Sequence, residues 1–166
     1  MQVSTHGFYM GKGRCFLALG SNLGNKRANL SQAVTLIAMR VGRVVCLSRF
    51  YETEPWGYAS DNTYLNAALE VETTLSPQEV LVVTQTIERD MGREKKSMNR
   101  EYFDRPIDID LLLMDDLVVE SDMLTLPHPL MHERLFVMEP LVEIAPTVMH
   151  PVLQKTICEI FNSLMQ

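Results

Sequence analysis

The chain has 166 residues, a length that favours one domain with a real hydrophobic core. Hydrophobic residues make up 46% and charged residues 22%, proportions that argue against disorder, fibres and membrane residence. The formal charge of −6 excludes broad, sequence-independent nucleic-acid binding, which needs a positive footprint, but not a single nucleotide held by local cations.

Residues 1–14 lack the apolar stretch of a signal peptide and read as a disordered lead or an expression remnant, with Met10 an alternative start. A single domain is expected over 15–166. Arg14 to Leu19 is a short apolar run ended by Gly20, a buried strand entering the turn Gly20 to Lys26. Leu30, Ala33, Val34, Ile37 and Ala38 recur at helical spacing, so an amphipathic helix is predicted over 26–41, with Gly42 at its stop. Val44 to Thr53 is rich in β-formers and reads as one strand, and Tyr64 to Thr73 as another. Ser76, Pro77 and Glu79 supply an N-cap, a first-turn proline and a capping-box carboxylate for a helix reaching about Met91.

Residues 93–106 are the one strongly polar stretch and read as a long mobile loop. Ile107 to Met114 is a strand, turned by Asp115-Asp116, with Leu117 to Val119 a short partner strand. Leu124 to Leu126 leads into an extended Pro127-His128-Pro129 segment, then short helices over 134–143 and 156–165. The β-α-β-β-α-β order is the split βαβ pattern. It predicts an α+β, ferredoxin-like fold: an antiparallel sheet with helices packed on one face, plus a C-terminal helical extension.

The sharpest chemical feature is Asp108-Ile109-Asp110. Alternation along a strand puts both carboxylates on one face, about 7 Å apart at the backbone. Magnesium favours a few carboxylates completed by phosphate oxygens and water, which makes the pair a platform for a metal–nucleotide complex. Taken alone, the pattern is better read as an exposed strand face with alternating charge. The run Leu111-Leu112-Leu113 tips the balance, because it implies burial on both faces, where unpaired carboxylates are expensive.

Just upstream, residues 93–105 carry five basic side chains against three acidic ones: Arg93, Lys95, Lys96, Arg100 and Arg105 against Glu94, Glu101 and Asp104. Such a loop suits closure over polyphosphate, although a solvated surface loop has the same composition. Gly20 to Lys26 is not a phosphate loop, since three rather than four residues separate its glycines, and it reads as a structural turn. Tyr64 and Asn66 share a strand face, a ring and an amide suited to a planar heterocycle but also to core packing. His128 is held rigidly between prolines. His128, His132 and His150 lack the spacing and the cysteine partners of a zinc site, and Cys15, Cys46 and Cys158 read as reduced thiols of a cytoplasmic protein.

Together these segments resemble one family, the 6-hydroxymethyl-7,8-dihydropterin pyrophosphokinases of folate biosynthesis. The matching stretches are LALGSNLGN (17–25), SRFYETEPWG (48–57), YLNAALEVET (64–73), IERDMGR (87–93), RPIDIDLLL (105–113) and LPHPLMHERLFVMEPLVEIAP (126–146). The resemblance implies pyrophosphoryl transfer from ATP to the hydroxymethyl oxygen of the reduced pterin, with release of AMP. It assigns two Mg²⁺ ions to Asp108 and Asp110, with Arg93 and Arg105 in the catalytic set. Thr53, Trp56 and Asn66 would take the pterin's amide-like edge, with Tyr64 and Phe136 on its ring. Gln85, Glu88, Arg93, Lys95, Arg105, Leu111, Thr125, His128 and Arg134 would line the ATP site. It further implies small-molecule substrates only, with no nucleic-acid or membrane partner, and a monomer. The family commonly has Trp-Gly-Pro-Arg-Thr where this chain has Tyr102-Phe103-Asp104-Arg105-Pro106, which leaves Tyr102 and Phe103 as alternative aromatic covers. Two other readings of the Asp pair stand beside this one: another metal-dependent phosphotransferase or nucleotidyltransferase, and a non-catalytic module.

Overall fold

In the computed structural model, which describes residues 11–54, 63–92 and 105–166, one antiparallel sheet carries the molecule. β1 (Gly13–Ser21) is followed by α1 (Lys26–Arg40), β2 (Arg43–Leu47), β3 (Tyr51–Thr53), β4 (Tyr64–Thr73), α2 (Pro77–Asp90) and β5 (Asp108–Met114). The strand order is β2-β4-β1-β5, with β3 also paired to β4. β1 is therefore central, antiparallel to β4 on one side and to β5 on the other.

Local signals explain the helix starts. Asn25 accepts the Ala28 N–H at the head of α1, and Ser76 and Glu79 form the reciprocal capping box of α2. Leu30, Ala33 and Ile37 of α1 and Val80 and Ile87 of α2 pack on Cys15, Leu17, Leu19, Leu69 and Val71 of the sheet. Leu124 and Leu126, further along the chain, join this core, and the segment from Met131 onward covers the opposite face. β6 (Val119–Glu120) pairs with β7 (Thr125–Leu126), a 3-10 turn spans Met131–Glu133, and α3 (Leu135–Ile144) precedes the hairpin β8 (Met149–His150) and β9 (Lys155–Thr156) and then α4 (Ile157–Leu164). Val137, Met138, Leu141, Ile157 and Ile160 bury Phe16, Ala68, Leu112 and Leu113.

Helices thus cover both faces of the sheet, not one. The single strand expected over 44–53 is two. At the break Ser48 bonds sideways: its N–H donates to the Ala68 carbonyl, and its Oγ accepts the Ala68 N–H. The Glu143 carboxylate on α3 then takes the Arg49 N–H at 3.0 Å. The first strand begins inside the segment expected to be a lead, because Gly13 and Arg14 pair with Thr73 and Glu72, and Arg14 ion-pairs with the buried Glu70. The short strand expected at 117–119 as a partner of the 107–114 strand lies at 119–120 and pairs with β7 instead, and the β8–β9 hairpin has no counterpart in the sequence reading.

Gly42 ends α1 for a steric reason. A Cβ there would come 2.1 Å from the Glu72 carbonyl oxygen, where the end of β4 crosses under the helix. Thr73 ties the same crossing by donating its hydroxyl to the Val41 carbonyl at 2.7 Å. Gly42→Ala must push this crossing apart, so a loss of about 1–3 kcal/mol is expected. Thermal denaturation checks it; an unchanged midpoint would contradict the contact.

Candidate active site

Asp108 and Asp110 leave β5 on the face that α3 covers. Across the sheet Asp110 stands opposite Ala18, and Asp108 opposite Gly20. Gly20 also stands opposite Asn66 of β4, so the small residues of β1 floor a cleft walled by an acidic strand and an amide-bearing strand. A Cβ at Gly20 would sit 3.2 Å from the Asn66 carboxamide oxygen and 3.5 Å from the Tyr64 ring, so the glycine is what lets these groups lie close to the floor. The cleft is lined by Ala18, Gly20, Thr53, Tyr64, Asn66, Arg105, Asp108, Asp110, Arg134 and Phe136, among others.

Asn66 is buried, and its Nδ2 donates to the Thr53 hydroxyl at 2.5 Å. That bond fixes the amide with its oxygen toward the floor, an acceptor for ring N–H groups. Phe136 comes from the first turn of α3, and the Arg134 guanidinium lies 5.7 Å from its ring centroid. Arg105 is buried, with its guanidinium 3.7 Å from the Asp108 carboxylate, one turn of chain before it. A charge taken out of water needs such a partner.

A second cleft runs along the outer edge of β5 and is lined by Leu81, Ile109, Asp110, Leu111, Ser121, Asp122, Leu124, Thr125 and His128, among others. β5 is the last strand of the sheet, and its edge is partly capped by the His128 N–H, which donates to the Leu112 carbonyl at 2.9 Å. The His128 Nδ1 accepts the Leu130 N–H, which leaves the ring's proton on Nε2. Burial above all, and then the Arg134 charge, push this imidazole down to about 4, against the opposing pull of Asp108. At neutral pH it is an uncharged donor.

The sequence-predicted set thus divides. Thr53, Tyr64, Asn66, Arg105, Asp108, Asp110, Arg134 and Phe136 meet in the first cleft; Leu111, Thr125 and His128 meet in the second, which Asp110 also lines. Gln85 and Glu88 lie on α2 outside the lining of both. Glu88 is buried, and its Oε2 accepts the Ile109 N–H at 2.9 Å, holding the backbone between the two aspartates from the opposite face. Trp56, Arg93, Lys95, Tyr102 and Phe103 lie outside the described residues. Sequence reading missed Gly20, Leu81, Ser121 and Asp122, as well as Asn22, whose side chain takes the Arg105 N–H. The glycine within an unexplained Gly-Ser-Asn turn was the available signal for the first and last of these.

Among the described residues no group of three or more His, Cys, Asp or Glu side chains could hold a metal by itself. Two half-buried carboxylates on one strand face could give a cation two of its ligands and leave the rest to phosphate and water. Mg²⁺ fits that description.

The aromatic–amide cleft and the edge cleft meet at the Asp110 carboxylate, an arrangement for two small ligands held side by side. Residues 16–146 match the model of the 7,8-dihydro-6-hydroxymethylpterin-pyrophosphokinase (HPPK) family, and the chain belongs to that family. It is 50% identical over 137 residues to a 2-amino-4-hydroxy-6-hydroxymethyldihydropteridine pyrophosphokinase of Porphyromonas gingivalis, covering 82% of this chain and 92% of that protein. The identically named protein of Bacillus subtilis is 41% identical over 134 residues, covering 80% of this chain and 78% of its own length. Among solved structures, a Plasmodium falciparum HPPK-DHPS superposes with a TM-score of 0.75 at 17% identity, over 92% of this chain. Another HPPK-DHPS, in complex with substrates, gives 0.74 at 15% identity. This chain spans 43% of the length of each of those two solved chains, and at such identities the likeness is one of fold.

The His128 environment has a signature in acid. Its value lies below the ordinary 6.5, so the unfolded chain takes up the proton first as pH falls. The group's contribution to stability is complete above 6.5 and drains away between 6.5 and about 4. His128→Gln is expected to lose less stability than the parent over that window in urea titrations at stepped pH; equal losses would contradict a half-buried neutral imidazole.

Proposed function

We propose that the chain transfers the pyrophosphoryl group of ATP to the hydroxymethyl oxygen of 6-hydroxymethyl-7,8-dihydropterin, giving the pterin diphosphate and AMP, a step of folate biosynthesis. One observation carries the placement of the two substrates: Asp110 lines both clefts, so two ligands bound side by side meet at the carboxylate strand. The pterin takes the aromatic–amide cleft. Its amide-like edge faces the Asn66 oxygen and Thr53, and its ring lies between Tyr64 and Phe136, with Trp56 of the same set. The nucleotide takes the edge cleft, with Leu111 against the base, Thr125 and His128 beside it, and phosphates directed toward Arg105 and Arg134. Gln85, Glu88, Arg93 and Lys95 complete the proposed ATP set.

The reaction is attack by an alcohol oxygen on the β-phosphorus with departure of AMP, which calls for alignment and charge neutralisation more than for covalent catalysis. Asn66 and Thr53 orient the acceptor. Arg105 and Arg134 present fixed positive charge where negative charge moves toward the leaving phosphate. Asp108 and Asp110 would hold Mg²⁺, two ions in the proposed scheme; bound there, magnesium neutralises phosphate charge and acidifies the hydroxyl.

The ferredoxin-like assignment is supported by the order β2-β4-β1-β5, with β2 and β3 counted as one interrupted strand and every pairing antiparallel. A single domain that begins with β1 at Gly13 and runs to 166, acting as a cytoplasmic monomer, completes the reading. Among the described residues no helix is long and apolar enough to cross a membrane.

Asp108→Ala and Asp110→Ala are each expected to fold and to lose nearly all Mg²⁺-dependent AMP release; near-normal turnover in either sinks the assignment of the carboxylates. Arg105→Ala is expected to lower kcat by roughly 100-fold or more, while the pterin Kd moves less than about tenfold. Titration calorimetry with a non-hydrolysable ATP analogue and Mg²⁺, then 6-hydroxymethylpterin, tests the substrate pair. Binding of both is expected, nucleotide alone points to another phosphotransferase, and binding of neither overturns the proposal.

A further inference from the structure

The turn at the end of β1 does more than reverse the chain. Asn22 is 1% exposed, and it brackets Arg105 from both sides. Its Oδ1 accepts the Arg105 N–H at 2.7 Å, and its own N–H donates to the Arg105 carbonyl at 3.1 Å. The two residues are 83 positions apart in the chain, so this is a tertiary cross-link and not a local turn bond. It joins the floor strand, two residues beyond Gly20, to the segment that delivers the guanidinium beside Asp108. The turn that presents Asn22 is itself tied down. Asn29 of α1 donates to the Leu23 carbonyl at 2.9 Å and to the Ser21 hydroxyl at 3.3 Å, while Asn25 caps the helix.

We propose that Asn22 is a positioning residue for the transfer reaction: through its reciprocal bonds to the Arg105 backbone it fixes the guanidinium relative to the Asp108 carboxylate. A residue bonded at both its N–H and its C=O has the peptide groups on either side of its Cα tied down, so the long side chain between them starts from a fixed root. Without the Asn22 amide the buried Arg105 N–H loses its acceptor, and the root of the guanidinium is held by one bond instead of two. Displacements near 1 Å at a site that depends on alignment are costly in rate. The kinetic part of this inference rests on the proposed pyrophosphoryl transfer, whereas the exchange measurement below does not.

The test uses the full chain. Asn22→Ala is expected to lower kcat about 10- to 100-fold with the pterin KM within about threefold. In the Arg105→Ala background the same substitution is expected to change kcat by less than about threefold, because its effect is already spent. A purely structural role predicts instead that the two losses multiply, and that outcome overturns the proposal. Hydrogen exchange of the Arg105 amide, followed by NMR without substrates, is expected to quicken by 10-fold or more in Asn22→Ala; unchanged exchange overturns the proposal whether or not the parent enzyme releases AMP. Failure of the parent to release AMP speaks against the functional reading alone. Asn22→Asp keeps an oxygen for the Arg105 N–H and is expected to restore slow exchange and most of the lost kcat. Should Asn22→Ala not fold, Asn22→Asp decides the matter, since a folded variant with fast Arg105 exchange is incompatible with the bracket.

Discussion

Everything at this site depends on the register of β1. Gly20 is the Cα partner of Asn66 on one side and of Asp108 on the other, so a single row across three strands holds the amide, the floor and the first carboxylate. Two inter-strand spacings put the Asn66 and Asp108 backbones roughly 10 Å apart, the span of a small bicyclic ring with its substituent. A slip of one residue in either pairing would turn one wall of the cleft to the opposite face of the sheet. The floor has no side chain to spare, which is why the row is built on glycine.

The same strand explains how a carboxylate pair survives in a largely apolar element. Pairing between β1 and β5 shifts between Phe16 and Leu17, where Phe16 faces Leu113 and Leu17 faces Leu111, with Leu112 between them unpaired. Beyond the bulge Leu112 and Leu113 both enter the core under α3 and α4; before it Ile109 and Leu111 enter the core under α1 and α2. The apolar anchor thus grips β5 on both faces at one end and leaves its first residues free to turn Asp108 and Asp110 into the cleft. Glu88, accepting the Ile109 N–H from beneath, is part of that grip.

The sequence made β4 legible to the residue, because its alternation, its flanking turn residues and its neighbours agree. It made α2 nearly as clear through the Ser76–Glu79 box. It could not show the break between β2 and β3, since Ser48, Arg49 and Phe50 are compatible with a strand, and the interruption comes from Ala68 and Glu143 far along the chain. Glu143 also receives the Tyr51 hydroxyl, so β3 is drawn to α3, the helix that carries Phe136. For the site the pattern is similar. Asp108, Asp110, Tyr64 and Asn66 announced themselves by two-residue spacing on strands. Asn22 did not, because its meaning lies in a partner 83 residues away.

That asymmetry bears on how an acidic chain handles an anionic substrate. With a formal charge of −6 the whole chain repels polyphosphate at long range, so the offset has to come from cations held close to the ligand. Within the cleft, placement matters more than number. Arg105 is 6% exposed and lies 3.7 Å from Asp108, so it offsets the charge of that carboxylate within the cleft. A surface lysine at the same distance would be screened by water and would lose its geometry to rotamer freedom. A buried guanidinium rooted in a doubly bonded backbone keeps both its charge and its direction, so an acidic protein needs few cations provided those few are held.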